Sequence, residues 1–434
     1  MSSKQHNPIP KIVVVGGGAG GLELVTRLGN SLGRRGEAEI TLVDCSKTHV
    51  WKPLLHEVAA GTLDSHEDEL EYLAQANTNH FRFILGRMQG LDGQAKTIRL
   101  APILDSVGAV LVPVRDVRYD ILVMAVGSVC NDYGIKGVAE HCMFLDTTEQ
   151  AERFQERLME EYVRAHVTKG KLEVVIIGGG ATGIELAAQL HEVSHLLNTY
   201  GLDRVKPADV KLSIVEASPR LLPELPARLS DATLRELHKL GVDVLLKQRV
   251  VEVSPAGVKT DSGQVIPGRI KVWAAGIKAP DFMKTLGLET NRANQLVVRP
   301  TLQSSGDDGI FAIGDCAACP WPERNGQVPP RAQSAHQMAD LVHDNILRQL
   351  KGRGLKEYRY RDYGSLVSLG KFSTVGNLMG GLGGSLMIEG FVARMVYLSL
   401  YKMHQLALFG VFRVGMLTLS HFFRRSVHPK IKLH

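Results

Sequence analysis

What this 434-residue sequence has little of restricts it more than what it has in plenty. Its 5 cysteines are too few for a disulfide scaffold and suit a reducing compartment. Aromatic residues make up only 6%, and no uninterrupted apolar run approaches the ~18 residues that would mark a spanning helix, so none is expected. The opening residues, MSSKQHNPIPKIVVV, lack an apolar stretch long enough for a signal peptide, so export is not expected. The body of the chain lacks excess charge of either sign. The net +6 lies in residues 391–434, which hold seven Lys or Arg and no Asp or Glu, leaving 44 basic against 45 acidic residues elsewhere. Charge confined in this way argues against a nucleic-acid-binding surface and for one local contact with something anionic. With 44% hydrophobic and 22% charged residues, disorder and fibrous repeats are excluded. The length predicts two or three domains.

Glycine, by contrast, is plentiful at 44 residues, and its placement is informative. Lys11-Ile-Val-Val-Val is followed by Gly16-Gly-Gly-Ala-Gly-Gly21. Glu173-Val-Val-Ile-Ile is followed, 162 residues after the first copy, by Gly178-Gly-Gly-Ala-Thr-Gly183. Each reads as a buried strand, a tight turn and an apolar-periodic helix, and each is followed by a second strand ending in an acid, Asp44 or Glu216. Gly16, Gly18 and Gly21 satisfy G-x-G-x-x-G, as do Gly178, Gly180 and Gly183. Glycine lets a pyrophosphate approach the backbone, while the helix N-terminus offers N–H donors and a positive dipole end. A tight strand–helix turn also needs glycine, but two copies in the same context predict two dinucleotide-binding modules. Thr147–His166 reads as a connecting helix between them.

Each strand-end acid can accept hydrogen bonds from a ribose 2′-OH and would repel a 2′-phosphate, so Glu216 favours NADH over NADPH, with Arg220 nearby in sequence as the counter-argument. Two modules suggest two different dinucleotides, non-covalent FAD and NADH. Gly314-Asp315, at the end of the strand Gly309–Ile313, supports this choice, because a strand-end Asp can bond a ribityl hydroxyl. A helix starting near Arg331, after Pro329-Pro330, would place its positive end near the anion of a reduced flavin.

With these residues in hand, the chain resembles the two-dinucleotide-binding-domain flavoproteins, and more narrowly the type II, non-proton-pumping NADH:quinone oxidoreductases of bacterial respiratory membranes. The markers are Gly16–Gly21, Trp51-Lys-Pro-Leu-Leu-His-Glu-Val-Ala-Ala-Gly61, Gly178–Glu185, Trp273–Lys278, Ala312–Cys316 and Ala332-Gln-Ser-Ala-His-Gln337, the last being the most discriminating. The resemblance implies an α/β fold of two Rossmann-like domains with a C-terminal amphipathic region. The expected division is 1–145 (FAD, first part), 146–295 (NADH), 296–375 (FAD, second part) and 376–434 (membrane-associating). Cofactor contacts are expected at Gly16, Gly18, Ala19, Gly20, Gly21, Asp44, Lys52, Ala125, Gly127, Gly314, Asp315 and Ala332, and at Gly178, Gly180, Ala181, Thr182, Gly183, Glu216 and Gly276. By the same resemblance Gln333 and Gln337 line a quinone site. Read without it, they lie four apart on one helix face, where amides can bond a quinone carbonyl or satisfy nearby backbone. Glu185 could relay a proton or orient its loop, and Lys371 falls where some members place a lysine near the flavin. No metal site is expected. The implied reaction is hydride transfer from NADH to FAD, then two-electron reduction of a membrane quinone without proton pumping, at the cytoplasmic face of a bacterial inner membrane.

Competing readings remain. A disulfide reductase of this architecture needs a C-x4-C pair, and Cys45 stands alone. A sulfide:quinone reductase-like enzyme or a soluble NADH-dependent flavin reductase is the alternative; an intact second glycine loop disfavours the former. Cys316-Ala-Ala-Cys319 is read as structural, with an auxiliary redox or metal role as the other reading. In the tail, Leu408, Phe412, Gly415, Met416, Leu419, Phe422 and Phe423 share one helical side, against Arg413, Leu417, His421 and Arg424. Val392 to Leu406 shows a weaker split. This basic amphipathic pattern suits an anionic bilayer surface; packing on the protein's own core or in a homodimer is the bland alternative.

Overall fold

The computed structural model describes residues 9–65, 69–200, 204–369, 374–379 and 385–424, with backbone alone over much of the last two stretches. The chain forms two compact units, each interleaved in sequence. One comprises Met1–His49, Glu69–Val129 and Lys278–Arg361; the other comprises Val50–Asp68, Cys130–Ile277 and Asp362–His434.

The first unit is built on a five-stranded sheet in the order Ile310–Ala312, Ile121–Met124, Lys11–Val15, Glu39–Asp44, Arg82–Leu85, every pair parallel. Its strands are continuous apolar runs because both faces are covered. Ile12, Val14, Leu42, Leu122 and Val123 are fully buried, and so are Leu22, Leu24 and Leu28 of the helix Ala19–Ser31. The helix Ala332–Leu350 packs on that helix through Ala335 against Gly20.

The second unit repeats the plan with four parallel strands in the order Asp243–Leu245, Val210–Val215, Leu172–Ile177, Ile270–Trp273. The connecting helix spans Thr148–Thr168, with Thr147 accepting the Gln150 N–H at its N-terminus. Its Ala151, Phe154 and Leu158 enter a core shared with Ile176, Ile184 and Leu186. Leu55, Val58 and Ala59, along with Val367 and Leu369, join that same core. Apolar packing, not chain order, therefore places Val50–Asp68 and the stretch from Asp362 onward with the second unit, although the sequence places 50–68 and 362–375 with the first.

Two small antiparallel sheets have no counterpart in the sequence reading: Met88–Asp92, Thr97–Leu100 and Arg115–Arg118 in the first unit, and Val250–Ser254, Gly257–Thr260 and Val265–Pro267 in the second. The glycine-rich stretch of 376–390 also contributes strands. Thr374–Met379 pairs antiparallel with both Gly364–Ser368 and Ser385–Glu389. The tail is helical over Gly390–Arg424 except at Gly410, whose φ of 74° and ψ of 170° split it into two helices. Among the described residues, no helix is long and apolar enough to cross a membrane.

Candidate active site

The two glycine turns follow the same plan. Gly16 and Gly178 have φ of 103° and 116°, which L side chains rarely adopt, and a Cβ on either would strike the carbonyl of Ala125 or Ala274. The last glycine of each motif packs back on the first. A Cβ on Gly21 would overlap the Gly16 carbonyl oxygen, and one on Gly183 would overlap that of Gly178. Gly18 and Gly180 are the N-cap residues of Ala19–Ser31 and Ala181–Thr199; neither helix has a side-chain cap, and a Cβ on either glycine would meet nothing within 4 Å. Each turn thus presents an uncapped, electropositive helix start to open space, with Ala19, Gly20 and Gly21 or Ala181, Thr182 and Gly183 in the first turn.

The strand-end acids close each turn from the side. Asp44 accepts the Gly17 N–H at 2.5 Å and the Ser46 N–H at 2.7 Å. Glu216 accepts the Gly179 N–H at 2.6 Å and the Ser218 N–H at 2.7 Å. Burial pushes the Asp44 carboxyl up from its ordinary value, against the backbone bonds that lower it. Arg220, which raised the question of a 2′-phosphate, is turned onto its own loop, donating to the carbonyls of Leu225 (2.6 Å) and Pro223.

The remaining first-unit residues gather at the same C-terminal end of the parallel sheet. Ala125 follows the strand Ile121–Met124 and lies against Gly16, and Gly127 takes a left-handed φ of 68°. Gly314 has a φ of 69°, and its N–H points at the Met338 sulfur. Asp315 accepts from Ser128 Oγ through Oδ2 at 2.7 Å, while its other carboxylate oxygen has no partner among the described residues. Its backbone carbonyl accepts from Gln295. Ser128, Gln295 and Tyr72, whose hydroxyl donates to the Gly17 carbonyl at 2.8 Å, are supports that no motif in the sequence announces.

Ala332 opens the helix Ala332–Leu350, and Gln333 and Gln337 follow on its first turns. Gln337 is engaged: its amide donates to the Arg361 carbonyl and accepts the Arg361 N–H, both at 2.9 Å. Between the two glutamines, His336 bonds the buried Glu23, and Arg27 bridges Glu23 (2.7 Å) to Asp340 (2.6 Å). Burial alone would raise the Glu23 carboxyl, but His336 and Arg27 together hold it below its ordinary value.

In the second unit, Gly276 has a φ of 67° and packs under the Tyr133 hydroxyl. Lys52 lies in this unit and pairs with Asp146 at 3.4 Å. Glu185 sits in the second turn of Ala181–Thr199, 7% exposed, and Oε1 accepts the Ser368 N–H at 3.0 Å. Burial, assisted by the nearby Glu57 charge, pushes its carboxyl up to about 8. Lys371 lies outside the described residues.

The cysteines are free thiols. Cys316 and Cys319 are both buried, and burial pushes each up to about 12, which suppresses the thiolate that redox or metal chemistry requires. Their sulfurs rest on backbone carbonyls of Met124, Ile313 and Pro320, which fits the structural reading.

Residues 10–339 match the family model of pyridine nucleotide-disulphide oxidoreductases. A type II NADH:quinone oxidoreductase of Haemophilus influenzae is 43% identical over 443 residues, covering 98% of this chain and 99% of that protein. The chain belongs to the type II NADH:quinone oxidoreductases. A member from Staphylococcus aureus is 30% identical over 85% of this chain and 90% of its own length. Among solved structures, an NDH2 of Plasmodium falciparum in complex with NADH superposes with a TM-score of 0.81 at 18% identity, covering 98% of this chain and all of that one. The sulfide:quinone oxidoreductase of Aquifex aeolicus gives 0.73 at 19% identity over 92% of each. These last two likenesses establish a shared fold. The chain is an oxidoreductase of mixed α/β architecture, and its five cysteines are free thiols.

Proposed function

We propose that the protein oxidises NADH and reduces a membrane quinone through non-covalently bound FAD, without pumping protons. The observation that carries this reading is the duplicated cradle: a glycine turn, an uncapped helix start facing open space, and a carboxylate bonded to the turn, once in each unit. Two such cradles fit two dinucleotides. The first unit adds Asp315, with an unpartnered carboxylate oxygen suited to a ribityl hydroxyl, so it is the flavin site, held by Gly16, Gly18, Gly20, Gly21, Asp44, Ala125, Gly127, Gly314 and Ala332. The second unit is the NADH site, with Gly178, Gly180, Gly183 and Gly276 forming the turn and Glu216 receiving the adenosine ribose. Arg220, bonded to its own loop, leaves Glu216 facing a ribose hydroxyl rather than a phosphate. Lys52 and Lys371 remain assigned to the cofactor and the reacting centre on the family resemblance.

Bound flavin supplies the two-electron relay between donor and acceptor. The chain's own residues do the rest. The first turns of Ala19–Ser31 and Ala181–Thr199 neutralise pyrophosphate charge, Gln333 orients the quinone carbonyl with Gln337 bracing the helix on Arg361, and Glu185, neutral near pH 7, holds a proton for the acceptor oxygen. The purified chain should show a flavin spectrum that bleaches on adding NADH under argon and returns on adding a soluble quinone. A colourless preparation that binds no flavin on reconstitution would overturn the reading. Replacing Glu216 with alanine should raise the NADH KM about tenfold, the worth of one lost hydrogen bond to a charged group, with flavin content unchanged.

The tail is proposed as the contact with an anionic bilayer on the cytoplasmic side of a bacterial inner membrane, through residues 391–434. Val411, Phe412, Met416 and Leu419 are exposed, Phe412 by 79%, on a helix that carries Arg413 and no acid. Large apolar side chains left in water beside a cationic face suit an interfacial helix better than a solvated one. A homodimer contact through the same side chains is the alternative. Phe412→Asp combined with Met416→Asp should shift the protein at least tenfold from the pellet to the supernatant in sedimentation with anionic vesicles. An unchanged distribution would assign these side chains to a dimer instead.

A further inference from the structure

The segment Trp51–Gly61 contains a side chain that no role above absorbs. His56 lies on the short helix Leu55–Ala59, is 3% exposed, and places Nδ1 3.7 Å from Glu185 Oε2. Its ring bonds the Pro53 carbonyl, yet Nε2 is buried and has no partner among the described residues. Burial pushes His56 down to about 4 and Glu185 up to about 8. Both shifts run toward the uncharged forms, so between these values the two side chains are a neutral imidazole beside a carboxylic acid, not an ion pair.

A buried ring nitrogen left without a donor is unusual in a well-packed core, and polar groups so placed are normally satisfied by ordered water or by a ligand. Since Nε2 is unbonded, the ring N–H that donates to the Pro53 carbonyl is on Nδ1, and Nε2 is an acceptor. A lone acceptor 3% exposed, next to an acid that must be recharged in every turnover, marks a route for a proton. Glu185 is fixed through Oε1 by the Ser368 N–H, which leaves Oε2 facing the His56 ring.

We propose that His56 is a positioning residue for Glu185, fixing the orientation of its carboxyl and, through an ordered water on Nε2, returning the proton that Glu185 gives up. This rests on the reading of the enzyme as an NADH:quinone oxidoreductase. In the step, the Glu185 O–H bond breaks and a bond from that proton to the quinone oxygen forms. The two electrons and the quinol's second hydrogen come from the hydride of NADH by way of the flavin. The carboxylate then regains a proton from solvent through the water and His56, in balance with NADH + H⁺ + quinone → NAD⁺ + quinol.

The titratable groups acting on Glu185 are His56 and Glu57, both from Leu55–Ala59, while the strand Gly364–Ser368 contributes the Ser368 N–H. Above the Glu185 value the acid form is lost, so the parent's quinone-reduction kcat should fall on the alkaline side of about 8.

The test uses the FAD-loaded enzyme and a soluble quinone, with His56→Leu and His56→Gln. Anaerobic bleaching of the flavin by NADH should stay within about twofold of the parent in both. In His56→Leu, the kcat for quinone should drop about tenfold with its KM little changed, and the alkaline limb should move to higher pH, because leucine removes the polar neighbour and the water. In His56→Gln, whose amide can still hold a water, kcat should recover to within about threefold. Normal bleaching with an unchanged kcat and an unmoved limb in His56→Leu overturns the role of His56. Failure of the parent to bleach overturns the reading of the enzyme instead. If His56→Leu retains no flavin, His56→Met, which likewise offers no group to hold the water, takes its place: a kcat lowered about tenfold with a shifted limb supports the role, and parental values overturn it.

Discussion

Gly21→Ala should leave no folded, yellow protein, while Gly18→Ala, three residues away in the same motif, should fold normally and lose the flavin. The difference is read directly from the space around each Cα. A methyl on Gly21 would occupy the position of the Gly16 carbonyl oxygen and press on Ala125 at 3.1 Å. Those are backbone and packed neighbours that cannot turn away, so the cost is about 3 kcal/mol or more, a large share of the ~5–15 kcal/mol that holds a domain together. Gly18, by contrast, has φ −64° and ψ −170°, which alanine adopts readily, and its methyl would project into open space. The fold loses at most ~1 kcal/mol through the weaker N-cap. The methyl would stand where a pyrophosphate must meet the helix start, so the flavin-to-protein ratio should fall at least tenfold with thermal unfolding little altered. Absorbance at the flavin band and a thermal melt check both variants together. A Gly18→Ala protein with full flavin content would remove the phosphate role from this turn.

Glu185→Gln should lower the quinone-reduction kcat about 100-fold and erase the alkaline limb near pH 8. Glutamine preserves the acceptor for the Ser368 N–H and nearly the same volume, so the change removes the transferable proton and little else. A positioned general acid contributes about 10²–10⁴ in rate, and the lower figure applies where solvent can supply the proton more slowly. The sign follows from the direction of the shift. Because burial raises this carboxyl, it is protonated and competent below about 8, and deprotonation above it costs activity. NADH reduction of the flavin should be unaffected, which separates a proton-transfer defect from a misfolded loop. Parental kcat and an intact limb in Glu185→Gln would make Glu185 a structural acid.

The placement of Glu185 shows where reading the chain alone reached its limit. Its position within Gly183-Ile-Glu left relay and loop orientation equally open, because nothing in the sequence tells that residues 56 and 368 will close over it. Their approach depends on Leu55, Val58, Val367 and Leu369 joining the core around Ile184 and Leu186. The same applies to Gln337. Its helical spacing from Gln333 was legible, but its double bond to Arg361 was not, since that partner comes from an irregular segment with no periodicity to read.

What the sequence determined by itself is whatever rests on short-range chemistry. Lys11–Val15 and Leu172–Ile177 are buried strands because their apolar runs are unbroken. The turns after them must be glycine because of φ and close approach, and the acids Asp44 and Glu216 follow at strand ends that the pattern already marks. Only the tertiary structure decided which segments share a core, that Val50–Asp68 packs with the second unit, and that His56 meets Glu185 with one nitrogen unsatisfied. The physical reason is that a glycine turn is specified within about six residues, whereas burial, and with it the charge state of a carboxyl, is set by side chains more than a hundred positions away.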